Sequence, residues 1–165
     1  QAPEFFLDAY VPTGSGRRLI GYICSTSSAD TTLTHASMSK HVPGSSLVCI
    51  HSVCIALEHH RQKVGLGLLQ EYVSRLSTSR NDSKPDARIL LISHEELRSF
   101  YEQAGFEWVG QSAVVHGSQP WFEMRKEFQP QSKCPSASSI LYGVNNVFAT
   151  SISRWGSTGS CPHGR

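Results

Sequence analysis

Nowhere in this sequence do apolar residues run unbroken for the roughly 18–20 positions that a membrane-spanning helix needs, and the opening residues carry no charged-then-apolar leader. Charge is sparse and nearly balanced. Lys and Arg number 15 against 13 Asp and Glu, charged residues make up 17% of the chain, and the formal net charge is +2. That composition gives no reason to expect a nucleic-acid partner, and no membrane partner is expected either. No C-x-x-C pair occurs. Five cysteines (Cys24, Cys49, Cys54, Cys134, Cys161) form an odd set, which reads as reduced thiols in a cytoplasmic protein, three of them packed as small hydrophobes in apolar strands. No histidines have zinc-site spacing, so no metal is expected: His35 and His41 read as surface residues and His59-His60 as an exposed loop. No internal repeat is visible, and nothing specifies an oligomeric state.

What is present suits one domain: 165 residues, 39% of them hydrophobic, are enough for a proper core. The most organised stretch is Leu47 to Leu76. Val48, Ile50, Val53 and Ile55 predict a strand buried on both faces. After Glu58-His59-His60-Arg61 and Gln62-Lys63-Val64-Gly65-Leu66-Gly67 comes a helix. Its apolar face is Leu66, Leu69, Val73 and Leu76, with Gln70, Glu71, Ser74 and Arg75 left for solvent. Strand, glycine loop and helix together can bind phosphate, because the first N–H groups of a helix lack intrahelical partners and its dipole favours an anion. Gly65 and Gly67 would let that backbone approach closely. A plain tight turn would give the same tripeptide, and neither glycine-rich motif of the nucleotide-binding folds is complete.

Around this centre, Phe5 to Val11 and Arg18 to Cys24 predict a β-hairpin across Pro12-Thr13-Gly14-Ser15-Gly16. Ser28 to Ser46 is polar, with Leu33, Ala36, Met38 and Val42 able to support a short helix ending at Pro43-Gly44. Ser77 to Asp86 reads as a linker and Arg88 to Ile92 as a buried, parallel-type strand. Ser93 and Glu96 form a capping-box pattern for a helix with Leu97, Phe100, Tyr101 and Ala104 on its apolar face and Gly105 as its stop. Phe106 to Val115 and Trp121 to Phe128 predict two more strands. Residues 129–165 are rich in Ser, Gly and Pro and predict a disordered tail after a domain of residues 1–128.

Gln62-x-x-Gly65-x-Gly67, between a buried strand and an amphipathic helix, resembles the acyl-CoA pyrophosphate loop of the GNAT N-acetyltransferases. Three downstream blocks, Glu96 to Phe106, Val109 to Gly117 and Pro120 to Met124, are similar to the arylalkylamine (serotonin-type) N-acetyltransferase family. The likeness extends to fungal members with His-Ser-Val in the central strand, here His51-Ser52-Val53. The resemblance covers about Gln1 to Phe128. It implies an α/β fold of the α+β type, a mixed, mostly antiparallel sheet splayed at its central strand, with flanking helices. It also implies an N-terminally incomplete domain, because the hairpin resembles the family's second and third strands and the preceding strand and two helices have no counterpart. The non-Met first residue suits that expectation.

The same resemblance implies the chemistry. Gln62, Lys63, Val64, Gly65, Leu66 and Gly67 would cradle acetyl-CoA, with Arg61 adding charge and the N–H groups of Ile55 and Leu57 contacting the pantetheine arm and acetyl carbonyl. On the residues alone, Arg61 and Lys63 could equally be solvated loop cations. His51 aligns with the family's catalytic histidine and would accept the amine's proton, where otherwise it would read as a core histidine. Vertebrate members carry a second histidine where this chain has Val53, so no paired relay is available. Tyr101 aligns with a tyrosine that protonates the departing thiolate, and an unperturbed phenol, pKa about 10, keeps its proton at neutral pH; a core aromatic is the other reading. Strand alternation would put Cys54 on the face opposite His51, which favours direct attack by the amine. His116 and Trp121 fall in family-like blocks near the acceptor side and could be structural, and a carboxylate that the family carries is replaced by Ala36. The expected function is N-acetylation of a small-molecule primary amine, an arylalkylamine or a polyamine, in a ternary complex. An inactive or regulatory CoA-binding homologue is the alternative, and a protein-binding module on the same fold is a third reading.

Overall fold

A computed structural model describes residues 3–79 and 87–128 of the chain. The predicted tail and most of the predicted linker lie outside the described residues. Six strands form one sheet: β1 (Phe6–Thr13), β2 (Gly16–Ser28), β3 (Leu47–Ile55), β4 (Arg88–Ser93), β5 (Glu107–Gln111) and β6 (Phe122–Glu127). Their order is β1-β2-β3-β4-β6-β5. Every neighbouring pair is antiparallel except β3 with β4. That is the mixed, mostly antiparallel architecture expected. The exception follows from α2 (Val64–Ser79), which carries the chain from the end of β3 back to the start of β4, as a parallel crossover requires.

The larger hydrophobic cluster lies where α2 packs on the sheet. Leu68, Leu69, Tyr72, Val73 and Leu76 meet Ile23, Val48, Ile50, Ile89, Leu91 and Met124. Full burial of one such leucine stabilises the fold by roughly 1.5–3 kcal/mol. Tyr72 is absent from the predicted apolar face because its phenol counts as polar, yet it is 1% exposed and its hydroxyl meets that of Ser25. A second cluster joins Leu33, Leu47, Cys49, Leu90 and Val114 beside α1 (His35–Ser39). The last residues of β2, Ser25 to Ser28, are buried hydroxyls. Thr26 Oγ1 donates to the Ser37 carbonyl at 2.6 Å and Ser27 Oγ to that of Val42 at 2.9 Å, so the polar connection after β2 is held by side chains.

Several local expectations change: β2 runs past Cys24 to Ser28, and β5 ends at Gln111 rather than Val115. The short helix stops at Ser39, before Pro43-Gly44, and is capped by Thr34, which exchanges hydrogen bonds with Ser37. The capping box at Ser93 and Glu96 does not form: Ser93 ends β4, a 3-10 turn covers Glu95–Leu97, and α3 is only Arg98–Gln103. Gly105 does stop that helix, with φ +82°. β3 is not buried on both faces along its length; Leu47 to Ile50 are buried, and His51 to Ile55 open toward solvent. Among the described residues, no helix is long and apolar enough to cross a membrane.

Candidate active site

The sheet is continuous across β3 and β4 for only three register pairs: Leu47 with Arg88, Val48 with Ile89 and Cys49 with Leu90. Beyond Cys49 the two strands follow different partners. β3 stays on β2 as far as Gly21 opposite Ile55, and β4 stays on β6 as far as Ser93 opposite Phe122. A cleft of about 100 Å³ opens between them. It is lined by Ile50, His51, Ser52 and Val53 of β3 and by Leu91 and Ile92 of β4, and closed by Met38, Tyr101, His116 and Trp121. That volume suits a small reacting group rather than a whole drug-sized ligand.

His51 sits at a β-bulge. Ser52 faces Cys24 and Ile50 faces Ser25, so His51 has no residue of β2 opposite it. The extra residue inverts the alternation: Val48 and Ile50 pack in the larger core before the bulge, and Val53 and Ile55 pack against that same core after it. The expectation that His51 shares a face with Val53 and Ile55 therefore fails. So does the expectation that Cys54 faces away: Cys54 lies opposite Tyr22 and Ser52 opposite Cys24, on the face where Cys24 Sγ is 3.6 Å from His51 Nδ1. His51 is exposed toward the cleft, and the walls displace enough water to lower its pKa from 6.5.

Tyr101, on α3, reaches the same cleft from the opposite wall. It is 8% exposed, with its ring edge-on to Phe100 and Phe106. Burial, with a smaller contribution from nearby Cys54, pushes its phenol up to about 12. The structure thus brings His51 and Tyr101 to one cleft, together with His116 and Trp121.

The backbone beyond the bulge also faces this gap. Ala56 N–H donates to the Ile20 carbonyl at 2.7 Å, which makes Gly21 and Ile55 a non-hydrogen-bonded pair. In such a pair both N–H and C=O point away from the partner strand, so the Ile55 groups point to the side that β4 has left. The Ile55 carbonyl there accepts from His60 Nε2 at 2.9 Å. Leu57, in the next turn, is 78% exposed.

The loop into α2 is tightly wound, with Arg61 and Lys63 at φ 59° and 62°, a conformation that disfavours side chains. Gln62 Nε2 ties the loop by donating to the Glu58 carbonyl at 2.8 Å. Arg61, Gln62 and Lys63 are exposed, Val64 to Gly67 partly so. Gly67 N–H is taken by the Lys63 carbonyl at 2.9 Å, so of the predicted cradle the helix-end amides of Val64, Gly65 and Leu66 are the ones placed to meet a ligand. The two glycines differ. A Cβ on Gly65 would lie 3.2 Å from Ile55 Cγ1, a contact tight enough to make that side chain shift, whereas a Cβ on Gly67 would meet nothing within 4 Å.

Residues 15–128 match the family model described as an acetyltransferase (GNAT) domain. The chain belongs to the GNAT acetyltransferase family. Serotonin N-acetyltransferase of Mesocricetus auratus is 30% identical over 109 residues, which are 66% of this chain and 50% of that protein, so the chain spans about half the length of this curated relative. Solved structures agree on the fold. The ribosomal-protein-S18-alanine N-acetyltransferase of Escherichia coli superposes with a TM-score of 0.51 at 14% identity, covering 87% of this chain and 77% of its own. A chain of the NatC complex bound to Gag peptide and CoA gives 0.57 at 14% identity, covering 77% of this chain and 73% of its own.

Within this GNAT domain, Met38 and Ile92 reach the cleft, and Cys24 reaches the His51 ring, without having stood out in the sequence. None of the three lies in the motif stretch, and only strand pairing brings Cys24 to His51. Among the described residues, Glu58, Glu95, Glu96 and Glu123 do not converge on the cleft. Glu58 pairs with Arg18 at 3.3 Å, Glu95 and Glu96 line a separate hollow with His94, Gln119, Pro120 and Phe122, and Glu123 is partly buried on β6 with its pKa raised by that burial.

Proposed function

We propose that residues 1–128 form a domain that transfers acetyl from acetyl-CoA to a small-molecule primary amine by direct attack in a ternary complex. The observation that carries this reading is the parting of β3 from β4 with His51 and Tyr101 on one cleft. The residues fit the co-substrate. Open space in front of Gly67, exposed Arg61 and Lys63, the amides of Val64, Gly65 and Leu66 at a 16-residue helix, and the outward N–H of Ile55 suit a pyrophosphate and its pantetheine arm. Acetyl-CoA supplies the activated thioester carbonyl.

His51 takes one proton from the substrate ammonium, directly or through water, and its lowered pKa keeps it neutral and able to do so near pH 7. The nitrogen then bonds to the carbonyl carbon and the carbon–sulfur bond breaks. Of the two protons lost by nitrogen, one is released through His51 and the other ends on sulfur. Tyr101 is the donor at sulfur. With its pKa near 12 it stays protonated, and full transfer to a thiolate of ordinary pKa about 8.5 runs uphill, so its contribution is a hydrogen bond to the departing sulfur.

Arylalkylamines are favoured over polyamines. The cleft walls are Met38, Val53, His116 and Trp121, and the acidic residues a polyamine would need are dispersed. The free thiols Cys24, Cys49 and Cys54 suit a reducing compartment such as the cytoplasm.

The test is calorimetric titration with acetyl-CoA, followed by a free-thiol assay with tryptamine, phenylethylamine and spermidine. Binding with thiol release on the two aromatic amines is expected. Binding without turnover on any amine would return the non-catalytic CoA-binding reading, and no binding by folded protein would remove the co-substrate assignment.

A further inference from the structure

We propose that Cys24 is a positioning residue for His51, accepting a hydrogen bond from Nδ1–H and so leaving the lone pair on Nε2 to receive the amine's proton. The inference rests on the acetyl-transfer reading of the cleft. His51 is the bulged residue of β3, so no backbone partner of β2 lies opposite it to hold it in register. What meets its ring from β2 is the Cys24 thiol, 3.6 Å from Nδ1, an ordinary separation for a hydrogen bond to sulfur. Cys24 is itself fixed, half-buried on a strand paired along its whole length past this point.

The direction of that bond decides whether His51 can work. A neutral imidazole carries one N–H. If the thiol donated to Nδ1, the ring hydrogen would sit on Nε2 and both nitrogens would be occupied. If Nδ1–H donates to Sγ, Nε2 holds a lone pair on a ring that lines the cleft. The second arrangement also lets Sγ stabilise the imidazolium formed when Nε2 is protonated, since Nδ1–H remains the donor in both charge states. A thiol here takes the part that a carboxylate or carbonyl takes behind many functional histidines.

The experiment compares wild type with Cys24→Ala, Cys24→Val and Cys24→Ser. The ¹⁵N shifts of the His51 imidazole give the tautomer directly, and steady-state kinetics with acetyl-CoA and tryptamine give kcat and KM. Wild type is expected to show the Nδ1–H tautomer and both apolar variants a shift toward Nε2–H. In the apolar variants kcat is expected to fall roughly fivefold, the worth of one ordinary hydrogen bond, with KM for acetyl-CoA unchanged. Cys24→Ser, whose hydroxyl oxygen can accept, should recover most of the loss. An Nε2–H tautomer in wild type, an unchanged tautomer in whichever apolar variant folds, or an unchanged kcat would each overturn the assignment. If wild type shows the Nδ1–H tautomer, lost on removing the thiol, but acetylates no amine, the functional reading has failed and the role of Cys24 toward His51 stands.

Discussion

Gly67 is a glycine that the protein itself does not need. Its φ is not positive, and a Cβ there would meet nothing within 4 Å, yet it occupies the fourth position of α2. Glycine is about 0.8–1.0 kcal/mol worse than alanine inside a helix. Gly67→Ala should therefore stabilise the unliganded protein by about 0.5–1 kcal/mol, or about 2–5 °C in Tm for a domain of this size. If the open space is where the pyrophosphate approaches the helix end, the same methyl disturbs at least one charge-assisted hydrogen bond, worth about 1.5–3 kcal/mol, and acetyl-CoA should bind about tenfold or more weakly. Thermal unfolding with and without acetyl-CoA, together with calorimetry, reads both effects on one sample. Gly65→Ala is the control: its Cβ would press on Ile55 Cγ1 at 3.2 Å, so the gain in helix propensity is offset and Tm should scarcely move. A Gly67→Ala protein that is more stable and binds acetyl-CoA as wild type does would refute the cradle, and one that is less stable would refute the account of the helix end.

Three further outcomes are expected. Tyr101→Phe should lower kcat by roughly 10- to 10²-fold, the worth of one hydrogen bond to a charged group, about 1.5–3 kcal/mol, while KM for acetyl-CoA holds; an equal kcat would remove Tyr101 from the chemistry. On the proposed role His51 works unprotonated, and burial lowers its pKa from 6.5, so kcat/KM should rise with pH along a limb whose midpoint lies below 6.5, and His51→Gln should abolish that limb; a midpoint at or above the ordinary value would contradict the burial argument. Gly21→Ala would put a Cβ 2.7 Å from the Cys54 carbonyl oxygen and 2.5 Å from Ile55 Cδ1. Backbone there cannot yield cheaply, and urea unfolding should show a loss of roughly 1–3 kcal/mol.

The elements were legible wherever a period was intact. β3, α2 and β4 stand where alternation and helical spacing put them, and the hairpin of β1 and β2 follows its glycine-rich turn. What the sequence could not show depends on pairing between distant residues. The bulge at His51 exists only relative to β2, so alternation along β3 alone put Cys54 on the wrong face. The Ser93 cap failed because the chain turns through 3-10 geometry before α3, and a four-residue motif cannot report that. His51 and Tyr101 were singled out by family resemblance. Cys24, meeting His51 across strands from 27 residues away, carried no local signal.

The three-pair junction between β3 and β4 divides the chain as well as the sheet. Everything on the His51 side of that junction, β1 to β3, comes from residues 6–55, and everything on the other side, β4 to β6 with α3, from residues 88–127. His51 and Tyr101, the proposed proton acceptor and hydrogen-bond donor, are thus written in separate halves of the sequence. Because each half also supplies walls of the cleft, Met38 and Val53 from the first and His116 and Trp121 from the second, a change of acceptor calls for matched substitutions in both halves.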